Sequence, residues 1–89
     1  MKKKIAIVVR DRTQEALRMA VGATLANDDV NVFIMDRKLE VDDETEVNLE
    51  MLSDLNVPLY TNNGENPFPQ KSTSEIARML TGYDVVIPY

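Results

Sequence analysis

The chain has 89 residues, a net charge of -5, 44% hydrophobic and 28% charged residues, and neither cysteine nor histidine. Without those two residue types, thiolate nucleophiles, disulfides, Cys/His zinc sites and imidazole acid–base catalysis are excluded. The length gives one domain, residues 1–89, with a thin core, because a chain this short buries only about 60–65% of its unfolded surface and gains from burial against other chains.

The opening Met1-Lys2-Lys3-Lys4 is followed by Ile5-Ala6-Ile7-Val8-Val9, an apolar run that Arg10 ends. A secretory h-region needs roughly 7–15 apolar residues, so this is a buried strand behind a solvated basic lead-in. No segment has the length to span a bilayer, and the expected location is the cytoplasm. Continuous β-branched and small residues mark a strand covered on both faces of a parallel sheet. Between Thr13 and Ala26 the positions Ala16, Leu17, Ala20, Val21 and Thr24 share one side at helical spacing, with Gln14, Glu15 and Arg18 outside. Asp11 or Thr13 is the expected cap of this helix, and Asn27 its left-handed terminator.

Val30 to Met35 is the second strand, which completes a β-α-β unit with strand two parallel beside strand one. A polar connection over 36–43 leads to a helix from about Glu44 to Leu55, with acids at its positive end and Val47, Met51, Leu52 and Leu55 expected to face inward. Val57-Pro58-Leu59-Tyr60 is a short third strand. Residues 61–70 are dense in turn formers and form a loop. Ser72 and Glu75 are spaced as a capping box that opens the last helix, whose Ile76, Met79 and Leu80 face the core and whose end Gly82 marks. Asp84 to Ile87 is the final strand.

Charge divides along the chain: residues 1–20 hold six Lys/Arg against two acids, and residues 28–56 hold ten acids against two bases. The acidic middle argues against general nucleic-acid binding, which needs a basic stripe. It reads as a solvated helix face or, alternatively, as a docking surface for a basic partner.

The pattern of Lys4-Ile5-Ala6-Ile7-Val8-Val9, then Glu15 to Ala23, then Val30-Asn31-Val32-Phe33-Ile34-Met35 resembles the opening of the DsrE/DsrF-like family of small sulfur-relay proteins. Leu49 to Tyr60 and the closing Gly82-Tyr83-Asp84-Val85-Val86-Ile87 are similar to later elements of that family. The resemblance implies an α/β/α three-layer sandwich with parallel strands, a cytoplasmic setting and assembly into homo- or hetero-oligomers with related subunits. Active members carry a persulfide on a cysteine after the third strand, where this chain reads Thr61-Asn62-Asn63-Gly64. Direct cysteine-based sulfur transfer is therefore excluded, and the role left by the resemblance is that of a non-catalytic subunit or accessory protein. By analogy with flavodoxin-like and DsrE-like topologies, about four strands are expected in the order 2-1-3-4.

In an open parallel sheet, ligands collect beyond the carboxyl ends of the strands where the order reverses. For the expected order, that point lies between the loops after strands one and three, with Arg10, Arg12 and Thr13 from the first and Asn62, Asn63 and Gly64 from the second. Two guanidinium groups beside a helix amino end suit a small anion or nucleotide, although neither a P-loop nor a dinucleotide fingerprint is present. Surface arginines paired with neighbouring acids are the competing account. No catalytic residue, metal ligand set or cofactor is implied: Asp11 reads as a cap, and the acids from Asp36 to Glu44 lack the spacing and glycine of a calcium loop. Pro67 and Pro69 stiffen Phe68 into an extended segment, either as an interface anchor or tucked against its own domain. Tyr60, Tyr83 and Tyr89 mark strand ends, with rings packed and hydroxyls wet.

Overall fold

The computed structural model describes residues 3–89, so Met1 and Lys2 of the basic lead-in lie outside the described residues. The elements alternate: β1 (Lys4–Val9), α1 (Thr13–Leu25), β2 (Asp29–Ile34), α2 (Asp43–Asp54), β3 (Leu59–Thr61), α3 (Thr73–Leu80) and β4 (Val85–Pro88). The four strands form one sheet in which every pairing is parallel. Helices cover both faces, which gives the three-layer α/β/α sandwich.

The strand order is β3-β2-β1-β4, which corrects the expected 2-1-3-4 while keeping β1 beside β2. Burial explains the difference. In β1 and β2 five of six residues are buried, as central strands require, whereas β3 has three residues and two of them are half-buried. Pro58, just before β3, cannot donate to a ladder, and edge strands tolerate such a residue. β2 therefore lies inside the sheet and β3 at its margin.

The order also fixes the layers. Two crossovers in one direction, β1 to β2 and β2 to β3, place α1 and α2 on the same face when both are right-handed; the return from β3 to β4 sends α3 to the other. Alternate strand residues sort accordingly. Ile5, Ile7, Val9, Val30, Val32 and Ile34 pack with Ala16, Leu17, Ala20 and Val21 of α1 and Leu52 of α2. Ala6, Val8, Phe33 and Met35 face Ile76 of α3 in a smaller cluster. The Phe33 ring stacks on Tyr60 at 5.3 Å and meets Tyr83 edge-on at 5.7 Å, so two tyrosines do much of the covering on this side. Tyr83 departs from the wet hydroxyl expected of it. Its O–H donates to Asn31 Oδ1 at 2.5 Å, and burial pushes its pKa up to about 12.

The helices also correct two local expectations. Val47 and Met51 of α2 are exposed, and the inward face is formed by buried Thr45 and Leu52 with half-buried Leu49. The amino end of α1 has Arg12 in the capping position without a side-chain bond, so neither Asp11 nor Thr13 caps it. Asn27 does take positive φ, 73°, just beyond the helix. Ser72 and Glu75 form the expected capping box of α3, and the reciprocal bonds hold the Glu75 carboxyl below its usual range. At the start of α2, Asp42 caps by accepting the Thr45 N–H at 2.8 Å. Among the described residues, no helix is long and apolar enough to cross a membrane.

Candidate functional site

The carboxyl edge of the sheet gathers the loops after β1, β2 and β3 around one residue that follows β2. Asp36 adopts φ of 71°, a left-handed conformation that Asp tolerates better than most residues. Its N–H donates to Asn62 Oδ1 at 2.6 Å, while Asn62 Nδ2 donates to Asp36 Oδ1 at 3.1 Å and to Thr73 Oγ1 at 3.0 Å. Arg10 Nε donates to Asp36 Oδ2 at 3.1 Å. The Asn62 bond, then the Arg10 guanidinium, hold the Asp36 carboxyl below its usual range. Asn63 Nδ2 adds a bond to the Asp36 carbonyl at 3.3 Å.

Arg10, Asn62 and Asn63 thus come together although β2 separates their strands. Arg12 and Thr13 sit elsewhere. They border a wide cleft of about 540 Å³ at the amino ends of α1 and α2, where Asp11, Glu15, Glu40 and Asp42 also line the wall. Arg12 pairs with Glu15 at 3.4 Å and lies over the Tyr89 ring at 5.3 Å. Four carboxylates against one guanidinium set an unfavourable local potential for an anion. Gly64 faces the Gln70 side chain, which an added Cβ would meet at 3.4 Å. Phe68 is half-buried and packs against the larger core of its own domain, while Pro67 and Pro69 are exposed.

The observed order moves the reversal point to the gap between β1 and β4. There the N–H groups of Arg10, Asp11 and Arg12 all point at the main-chain oxygen of Tyr89, at 3.0, 3.0 and 3.5 Å. Arg37 pairs with Asp11 at 3.3 Å, which ties the β2 loop to the same place. Asp36 as the hub and Arg37 as the second tie are absent from the sequence reading. The only local signal was an aspartate at a strand end, where a left-handed turn is tolerated.

The margins of the sheet are equally informative. Beyond β3, the Thr61 N–H donates to the Pro69 carbonyl at 3.2 Å and the Thr61 carbonyl accepts from the Lys71 N–H at 2.9 Å. The chain after β3 therefore folds back and pairs that edge at Thr61. It is anchored by buried Asn66, whose Oδ1 accepts from Leu39 N–H at 2.7 Å and whose Nδ2 donates to the Arg37 carbonyl and to Thr61 Oγ1, both at 3.0 Å. Among the described residues, β4 has β1 on one side and no strand on the other. Compared with family models, with curated proteins and with solved structures, the chain matches none.

Proposed function

We propose that this chain is a non-catalytic, DsrE-like subunit of a small cytoplasmic oligomer, attached to sulfur relay as a structural partner that carries no persulfide itself. The observation that supports the reading is the β4 margin, beyond which no strand pairs among the described residues and where Val86 keeps an outward N–H. Next to it, Val86 is 42% exposed on the face that α3 only partly covers. An exposed strand edge is a liability that a partner can cover; Pro88 blunts only the end of this one, whereas the opposite edge is paired at Thr61 by its own chain. The absence of cysteine agrees with a supporting rather than a transferring role. Light scattering tests the assembly: a mass that is a multiple of 10.1 kDa at tens of micromolar is expected, and a strict monomer overturns the reading.

A second reading, a small-anion or nucleotide site at the carboxyl edge, rests on three N–H groups that converge on one oxygen, that of Tyr89, which an anion would have to displace. Calorimetry with inorganic phosphate and a nucleotide separates the two. Binding heat that Arg10→Ala removes would select the anion site.

A further inference from the structure

We propose that the outward face of α2 is a docking surface for a cationic amphipathic helix of another protein. This surface is separate from the β4 margin, and its occupant is not the oligomeric partner proposed there. At roughly 3.6 residues per turn, Val47 lies opposite the inward Thr45, Leu49 and Leu52, and Asp43, Glu50, Met51 and Asp54 fall within about 60° of it. Val47 is 55% exposed and Met51 39%. Two apolar side chains one turn apart thus stand in water, with Asp43 a turn before them, Asp54 a turn after them and Glu50 alongside.

Charge on this helix is unbalanced in a way that costs stability. α2 has five acids and no base. Glu46, Glu50 and Asp54 follow one another at four-residue spacing, where like charges repel, and Asp54 lies in the last turn, at the negative end of the helix dipole. Among the described residues, only Glu44 of the five has an ion-pair partner, Arg18 of α1. A base at position 50 would turn both repulsions into attractions. Local stability therefore does not account for the pattern, and solubility accounts for the acids but not for Val47 and Met51.

An occupant that satisfies the whole face is apolar along its middle and basic at its flanks. A helix achieves this with apolar anchors at i, i+3, i+4 and i+7 and Lys or Arg beside them. The basic heads quench the repulsion among Glu46, Glu50 and Asp54, and their alkyl stems cover Val47 and Met51. A second copy in twofold contact is disfavoured, because two such faces would set acid against acid in a chain of net charge -5. Beside the amino end of α2, the cleft of about 540 Å³ extends the same chemistry: exposed Val41 lies between Glu40 and Asp42 in its wall, with Asp11 and Glu15 at the α1 end. The potential that repels an anion there admits a lysine or arginine from the end of the bound helix.

The full chain and a labelled synthetic peptide, with leucine and lysine set on opposite faces of a helix, test the surface. That peptide should bind by fluorescence anisotropy, and a matched peptide with glutamate in place of lysine should not. Amide shifts caused by the first should concentrate at residues 43–54 in nitrogen–proton correlation spectra. Val47→Ser with Met51→Ser should weaken binding about tenfold, which charge attraction alone would not produce. Glu50→Gln with Asp54→Asn should weaken it and reduce its sensitivity to salt, whereas the same loss of charge through Glu65→Gln with Asp84→Asn should change it far less. All these side chains are exposed, so circular dichroism should be the same throughout. Binding that the serine variant keeps, or that both charge-loss variants weaken alike, is general attraction to an acidic chain and overturns the proposal. A lower mass of the serine variant alone, by light scattering, also overturns it, since a second copy then covers the face. Absence of binding at tens of micromolar does the same.

Discussion

The two margins of the sheet solve the same problem in opposite ways. At β3 the chain runs on through 62–72 and folds back, so that Pro69 and Lys71 take both outward main-chain groups of Thr61. At β4 the outward residues are Val86 and Pro88, so only Val86 has an outward N–H, beside its own exposed apolar side chain. The difference follows from the topology: α1 and α2 share one face and α3 alone covers the other, leaving β4 the less sheltered strand. One strand edge is thus protected by polar anchoring of a loop, and the other is blunted at its end by a proline.

The sharpest way to break this contrast is to remove the anchor of the closed margin. Asn66→Ala leaves the Leu39 N–H, the Arg37 carbonyl and the Thr61 hydroxyl without the side chain that satisfies them. Leaving buried polar groups unpaired is expected to cost about 2–3 kcal/mol, read from the urea midpoint. The variant should also aggregate more readily, since β3 then exposes its edge as β4 does. A loss below about 0.5 kcal/mol would show that the half-buried Phe68, rather than Asn66, holds the loop.

A smaller effect is expected on the open side. Ser72→Ala removes the capping bond from the Glu75 N–H, 3.1 Å long, and the cost of losing such a cap is about 1 kcal/mol. Since α3 is the sole helix on its face, native-state hydrogen exchange should accelerate in α3 and around Phe33 while α1 keeps its protection. Equal acceleration in α1 and α3 would mean that the two faces unfold as one unit.

The sequence makes the elements legible but not their order. Apolar runs and helical spacing locate every strand and helix, because both periodicities are local properties of the chain. The sheet order depends on which strand is buried on both faces. The usable signals were the short β3 behind Pro58 and the unbroken apolar content of Val30 to Met35. In α2 helical spacing admits two stripes, Val47 with Met51 and Thr45 with Leu49 and Leu52, and the second is the buried one. Thr45 sits one turn into the helix with its N–H already held by Asp42, so its burial leaves that backbone donor satisfied. The carboxyl edge was partly legible for a similar reason. Asn62 and Arg10 could be placed at strand ends from local pattern, whereas their meeting through Asp36 depends on β2 lying between them.

The smallest expected effect concerns that meeting point, which joins the margin loops to the centre of the sheet. The Asp36 carboxyl is held below its ordinary value of 3.8, so its stabilisation is fully present above that value and is lost as pH falls through the lower folded value. Arg10 and Asp36 are both about half exposed, with side-chain accessibilities of 54% and 55%, and solvent limits such a pair to under about 1 kcal/mol. Asp36→Asn keeps a residue that tolerates positive φ and can still accept from Asn62, so it removes only the charge. The two proteins should differ modestly in chemical stability at neutral pH and converge below pH 3.8, with added salt narrowing the gap. A difference that persists unchanged into acid would show that Asp36 acts through its backbone turn and the Asn62 bonds alone. The tie between the closed margin and β1 would then be purely hydrogen-bonded.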